Sequence, residues 1–440
     1  MTTARRYLLI SGILIGFLIA LGFLSIRLTA QLQYHFALNH LRQGSPDRAI
    51  ALLQKAVQHQ PRDHEMWKAL GQSYSALARK EPAQKAYALE MQARQSYQKS
   101  ARLVPIDSEA HYLLAQTTAR LEELHPLVHP ESPEPPFNAG PHFQEALRLR
   151  PNGVLFHHAF ARYLYRRGKI RPFLDTLQNL ARIYPQSYSH LKKEPFWSDP
   201  AEEAVLGGLQ QALEQDITPR DAHLALADIL EGRGLARTAL EHMRAALNRY
   251  PRDNTAWQYI RLGRLHLGLG EKEQASEAFT QALIKAEDQE KTVQQIFRTY
   301  QQRDALQSFL IFAEQARTRF PFSSQTELIV ATALMDLGLE ARARQMLYEL
   351  NRARPTAKAY YLLARMEEKQ ENWDRMELAI QKATVLEPEN EDHHLLFSRA
   401  LQRQGKIPQA EQAATEAIEA ADPPKHWLYS HRAWLRWSQK

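Results

Sequence analysis

Proline returns along this 440-residue chain at nearly constant intervals. It falls at Pro61, Pro105, Pro151, Pro185, Pro219, Pro251, Pro321, Pro355, Pro388 and Pro423, and several consecutive gaps are 34, 34, 34 and 33 residues. Proline fixes φ and removes a backbone donor, so it ends one helix or opens the next. Between the prolines the chain is rich in Ala, Leu, Gln, Glu and Arg, with only 17 glycines and few β-branched residues, which favours helix. Each interval holds two helices joined by short turns. One such pair cannot bury its own apolar face, so neighbours must stack. The expected fold is all-α, one continuous array rather than the two to four globular domains that length alone implies.

The residues between the prolines repeat as well. The second interval carries Trp67, Leu70, Gly71 and Tyr74. A later one carries Leu226, Ala227, Leu230, Gly234, Ala239, Met243, Ala246 and Pro251, and the next Leu262, Gly263, Gly270, Ala275, Phe279 and Ala282. Small residues fall where two helices must approach, and large ones fill the groove between them. This pattern resembles the tetratricopeptide repeat over roughly residues 30–424. The resemblance implies a right-handed α-solenoid of about ten to eleven helix pairs, each with a helix A and a helix B. It is similar in layout to bacterial single-pass, membrane-anchored repeat proteins of envelope assembly.

The N-terminus departs from this pattern. Tyr7 to Ile26 is a run of 20 residues without charge, long enough to cross a hydrocarbon core of about 30 Å. Arg5 and Arg6 precede it, which favours a cytoplasmic N-terminus and an exported body. The run is longer than the apolar core of a signal peptide, and Leu28-Thr29-Ala30 is a poor cleavage site, so an uncleaved anchor is expected. Gly12 and Gly16 would let two such anchors pack closely as a homodimer.

Three places break the period. Ala83 to Leu103 reads as a lengthened helix B, and His125 to Pro141 holds six prolines and reads as an extended loop. Residues 186–219 read as a degenerate repeat or bend, helical only from Ala201 to Gln215. The expected organisation is thus an N-terminal segment and anchor over 1–29 (span about 7–26), a first array over 30–185 carrying the insertion at 125–141, the break at 186–219, a second array over 220–424, and a capping helix over 425–440. Trp427, Trp434 and Trp437 fall on nearly one face of that last helix.

Composition and motif content exclude most chemistry. Zero cysteines remove disulfides, thiolate metal sites and Cys nucleophiles, and no H-E-x-x-H, G-x-S-x-G or phosphate-binding loop occurs. His157, His223 and His394 fall at the fourth position of helix A, where the repeat packs a large side chain, so structural histidines are expected rather than metal ligands. With 56 basic and 49 acidic residues the excess of +7 is spread along the chain, which argues against nucleic acid. No enzyme activity, cofactor or metal is therefore expected; a transferase or hydrolase site within 186–219, with residues such as His190 or Asp199, is the remote alternative.

In the resembled family, positions 2, 5, 9 and 12 of helix A line the concave groove. Alignment of the repeats places Arg162, Arg264, Arg298, Arg365 and Arg399 at position 9, with Tyr165, Arg166, Tyr361 and Arg403 nearby. Guanidinium forks on successive repeats suit an extended or acidic segment of a partner protein. The alternative is internal pairing with carboxylates such as Asp228, Glu231 or Glu368. The expected function is a non-catalytic anchored scaffold in the bacterial inner membrane, its bulk in the periplasm, holding proteins during cytochrome c maturation, translocon-linked chaperoning or polysaccharide export. A cytoplasm-facing adaptor that regulates a lipid or lipopolysaccharide enzyme is the alternative.

Overall fold

A computed structural model describes residues 3–249, 251–423 and 425–438, with side chains from Leu14 onward except Ile15. The helices are, in order, α1 (Thr3–Arg42), α2 (Pro46–His59), α3 (His64–Ala78), α4 (Ala83–Leu103), α5 (Ser108–Val128), α6 (Gly140–Leu149), α7 (Val154–Arg166), α8 (Ile170–Ile183), the short α9 (Tyr188–Leu191), α10 (Asp199–Glu214) and α11 (Pro219–Gly232). They continue with α12 (Ala236–Arg249), α13 (Ala256–Gly268), α14 (Lys272–Ile284), α15 (Gln289–Gln302), α16 (Leu306–Arg319), α17 (Ser324–Asp336), α18 (Glu340–Ala353), α19 (Ala357–Lys369), α20 (Trp373–Leu386), α21 (Glu391–Arg403), α22 (Ile407–Ala420) and α23 (His426–Trp437). No strand occurs among the described residues. The chain divides into two compact units, Met1–Leu226 and Ala227–Lys440.

Within each unit consecutive helices pack as pairs, and the small residues at position 8 of helix A set how closely they meet. A Cβ on Gly71 would stand 2.6 Å from Cε1 of Tyr97, and one on Gly263 would stand 2.4 Å from Cε1 of Phe279. Both rings lie fully buried across the helix pair. In the second unit Phe279, Tyr300, Phe309 and Phe312 form one buried aromatic cluster, with the Phe279 and Tyr300 centroids 5.0 Å apart. Such interdigitation makes the position intolerant of added volume.

The turns follow from capping chemistry. Asp63 Oδ1 accepts hydrogen bonds from the Glu65 and Met66 amides at 3.0 and 3.2 Å, and Asp107 caps α5 in the same way. Between helix A and helix B the chain passes through the left-handed region, at Gly338 (φ 71°) and Gly405 (φ 78°) for example.

The first unit contains the departures from the repeat. Helix α1 runs unbroken from the apolar N-terminal segment into the first repeat, where Ala30 and Ala37 are buried against Ala49, Leu53 and Ala56 of α2. Helix α5 extends through Pro126 to Val128, four residues into the stretch expected as loop. Proline in the last turn forfeits one intrahelical bond, and the helix stops two residues later. The remaining loop is fastened to the array. The buried Glu122 carboxylate accepts from the Ala139 amide at 2.6 Å, and Phe137 meets His125 edge-on beneath the Arg94 guanidinium.

Residues 186–198 are packed as well. Phe196 lies 5.2 Å from Phe173 and 5.7 Å from Tyr165 between ring centroids, and α10 presses Gly208 onto the backbone of α8. In the second unit α23 closes against α22 through Leu428 and Leu435. The tryptophans contribute less to the seal: Trp427 is partly buried, whereas Trp434 and Trp437 remain exposed.

Candidate partner-binding face

In unit one, α5 and α7 stand side by side and leave an open cleft of ≈ 450 Å³ between them. Its walls combine Tyr112 and Leu155 with Arg120, Arg162 and Arg166. Leu155 is 71% exposed although apolar, a side chain the fold itself does not use.

The arginines at this cleft are held by carboxylates. Arg162 grips Glu194 with both fork arms, Nη2 to Oε1 at 2.5 Å and Nε to Oε2 at 3.1 Å. His158 Nε2 adds a contact of 3.2 Å to the same carboxylate. Burial pushes the Glu194 carboxyl up, but the Arg162 guanidinium and His158 outweigh it and hold it below the usual glutamate value. Arg166 pairs with Glu123, which also receives Arg120 at 2.9 Å. Tyr165 leans on Phe173 and Phe196 and so joins the packing of the 186–198 segment.

In unit two the position-9 arginines divide into two groups. Arg264 forms a bidentate pair with Glu231, both arms at 2.8 Å, beside the buried Arg261–Asp228 pair at 3.0 Å. Arg365 is taken by Glu368 one turn along its own helix, at 2.9 Å. Arg298 and Arg399 are exposed and hold no ion pair among the described residues. Arg403 lies over the Trp373 ring at 5.4 Å, and Tyr361 sits between Lys358 and His393. The expected ladder is therefore uneven: Arg162, Arg166, Arg264 and Arg365 are paired with carboxylates, while Arg298 and Arg399 form no ion pair among the described residues. Glu194, 32 residues from Arg162 and outside any repeat pattern, carries no sequence signal of this role.

Four of the fourth-position side chains share one job. Trp67 Nε1, His111 Nε2, His157 Nε2 and His394 Nε2 lie 2.9, 3.0, 2.8 and 2.7 Å from the carbonyl oxygens of Pro61, Pro105, Pro151 and Pro388. In each case the partner is the helix-ending proline six residues upstream. A carbonyl only accepts, so each histidine carries its proton on Nε2 and stands in for the indole N–H.

His64, Glu65 and Asp107 also converge, with ligand atoms within 4.8 Å of one another. Lys68 Nζ already occupies that cluster, 2.9 Å from Glu65, 3.2 Å from Asp107 and 3.0 Å from Glu109, so an ammonium stands where a metal ion would have to sit. At the N-terminus, the side-chain position of Gly16 meets nothing within 4 Å, and the surroundings of Gly12 lie outside the described residues.

Two family models described as tetratricopeptide repeat match the chain, over residues 30–73 and 259–283. No curated protein sequence matches it. Among solved structures, yeast Tom70 is 14% identical, covering 93% of this chain and 96% of its own, at a TM-score of 0.34. A thermophilic tetratricopeptide-repeat protein of Thermus thermophilus is 18% identical over 42% of this chain and 100% of its own, at 0.31. MamA of Desulfovibrio magneticus RS-1 is 20% identical over 38% and 94%, at 0.29. TM-scores this low reflect superposed groups of helices and carry no functional likeness. The two matched segments contain the close helix crossings at Gly71 and Gly263, so the chain carries tetratricopeptide repeats over those residues.

Proposed function

We propose that the chain is a non-catalytic scaffold, anchored in the bacterial inner membrane by α1, that holds an extended segment of a partner protein during envelope assembly. The observation that carries this reading is the continuity of α1. Its apolar residues from Leu14 to Leu28, among those whose side chains are described, are exposed, and the same helix then becomes helix A of the first repeat. An exposed apolar helix of that length costs free energy in water and gains it in a bilayer. A cleavage at Leu28-Thr29-Ala30 would cut a helix whose Ala30 belongs to the core, which favours an anchor over a removable signal.

Tetratricopeptide repeats are protein-interaction modules, and two features here suit a bound segment. The cleft at Leu155 offers apolar surface flanked by paired arginines, and Arg298 and Arg399 offer open forks to carboxylates. Anchoring raises the effective concentration of the groove for clients at the membrane. Close packing of two anchors through Gly12 and Gly16 would bring two such bodies together. Arg5 and Arg6 orient the body to the periplasm.

A membrane pull-down with the parent chain and with an Arg298→Gln, Arg399→Gln, Leu155→Ser variant tests the scaffold. Loss of one defined partner with helicity and melting unchanged supports it, and an unchanged partner set contradicts the groove. A reporter fused after Lys440 that is active only in the cytoplasm would reverse the orientation and favour an adaptor acting on a cytoplasmic enzyme.

A further inference from the structure

We infer that the edge of the first unit formed by the turns at 60–63 and 104–107 lies on the membrane surface and binds anionic lipid headgroups. This inference rests on the reading of α1 as an anchor. Helix α1 leaves the apolar stretch near Arg27 and climbs to Arg42, about 22 Å along its axis. Helix α2 runs back, and Gln60 at its end donates from Nε2 to the Arg27 carbonyl oxygen at 2.8 Å. The turn at 60–63 is therefore returned to the level at which the apolar stretch ends.

The next turn is pinned to the same edge. Ser100 Oγ donates to the His64 carbonyl oxygen at 3.0 Å, and Lys68 Nζ reaches Asp107 at 3.2 Å. The opposite edge is fixed by Lys80 Nζ donating to the Gly44 carbonyl oxygen at 2.8 Å. The contacts thus define a near edge and a far edge relative to the anchor.

The near edge carries charges of both signs. Asp63 and Asp107 cap helices, and Glu65, Asp107 and Glu109 surround the single ammonium of Lys68. Four cations are not drawn into these pairs. Arg27, Arg62, Lys99 and Arg102 are exposed and form no ion pair among the described residues. Ile106, at the tip of its turn, is 79% exposed, and Leu28, next to Arg27 on α1, is 60% exposed. An exposed apolar tip and four cations outside any ion pair, on an edge tied by Gln60 to the end of the apolar stretch, match the interface of an anionic bilayer.

The chain lacks cysteine, so single-cysteine variants take a nitroxide label at one place only. Full-length Ile106→Cys, Gln43→Cys and Leu18→Cys are reconstituted in nanodiscs of phosphatidylcholine with or without phosphatidylglycerol. Collision with an aqueous nickel chelate and with oxygen is then read by power saturation. The expected result is a several-fold drop in nickel accessibility at 106 relative to 43 when phosphatidylglycerol is present. That drop should be lost in phosphatidylcholine alone or with Arg62→Glu and Arg102→Glu. Equal accessibility at 106 and 43 with position 18 in lipid overturns the surface contact but leaves the anchor standing. Shielding that ignores lipid charge overturns it also. Position 18 in water overturns the anchor and this inference together.

Discussion

His157 holds the carbonyl oxygen of Pro151 through Nε2 at 2.8 Å, six residues ahead of it, as Trp67 holds Pro61 and His394 holds Pro388. The proline ends helix B, the latch carries the chain through the turn, and the next helix A begins. His157→Trp keeps a donor at that place, whereas His157→Phe keeps bulk without one. The expected cost of the Phe variant is about 1 kcal/mol, the net worth of one partly buried hydrogen bond, with little change for Trp. Thermal melting followed by circular dichroism compares the two directly, and equal melting would contradict the latch.

Burial pushes the His157 and His393 imidazoles below the usual histidine value. The folded chain then binds a proton less readily than the unfolded one. Stability carried by these groups is full above the unfolded value of about 6.5 and is drawn down as pH falls below it. The melting temperature of the parent should therefore fall more between about pH 7.5 and about pH 5.5 than that of His157→Trp, which cannot protonate. Parallel profiles would remove His157 from the account.

Glu371 occupies the left-handed turn position (φ 57°) that Gly338 and Gly405 fill in neighbouring repeats. That conformation costs a side-chain-bearing residue roughly 1–2 kcal/mol, part of which glycine returns as chain entropy. Glu371→Gly should raise stability by up to about 1 kcal/mol, and Gly405→Ala should lower it by a similar amount. Denaturant midpoints of the pair check both signs.

Because Ala30 belongs to the core of the first repeat, the mature chain should retain α1 whole. Intact-mass measurement of protein purified from membranes is expected to give the uncleaved species. A chain beginning just after Ala30 would show that the helix is processed and that the anchor reading is mistaken.

Much of the fold was legible because its causes are local and repeated. Gly71 and Gly263 mark close crossings, prolines mark helix ends, and the same spacing returns along the chain. Pro126 misled, since a proline in the last turn sacrifices only one bond and the helix absorbs it. The partner-binding face was less legible. Register alone puts Arg162, Arg264, Arg298, Arg365 and Arg399 in one row, but the charge state of that row depends on carboxylates far away in sequence. The sequence offers Glu231 and Glu368 as partners for Arg264 and Arg365, but gives no sign of Glu194, 32 residues from Arg162. The proline latches escaped notice because the histidine pattern gave position without the acceptor.

The central claim is that the cleft between α5 and α7 receives a partner protein. A photo-crosslinking residue placed at Leu155 in the full-length chain in native membranes tests it, with Ile311, exposed on α16 of the other unit, as the control. One defined protein adduct at 155, absent at 311, is the expected result. No adduct at 155, or the same adducts at both positions, would contradict the claim.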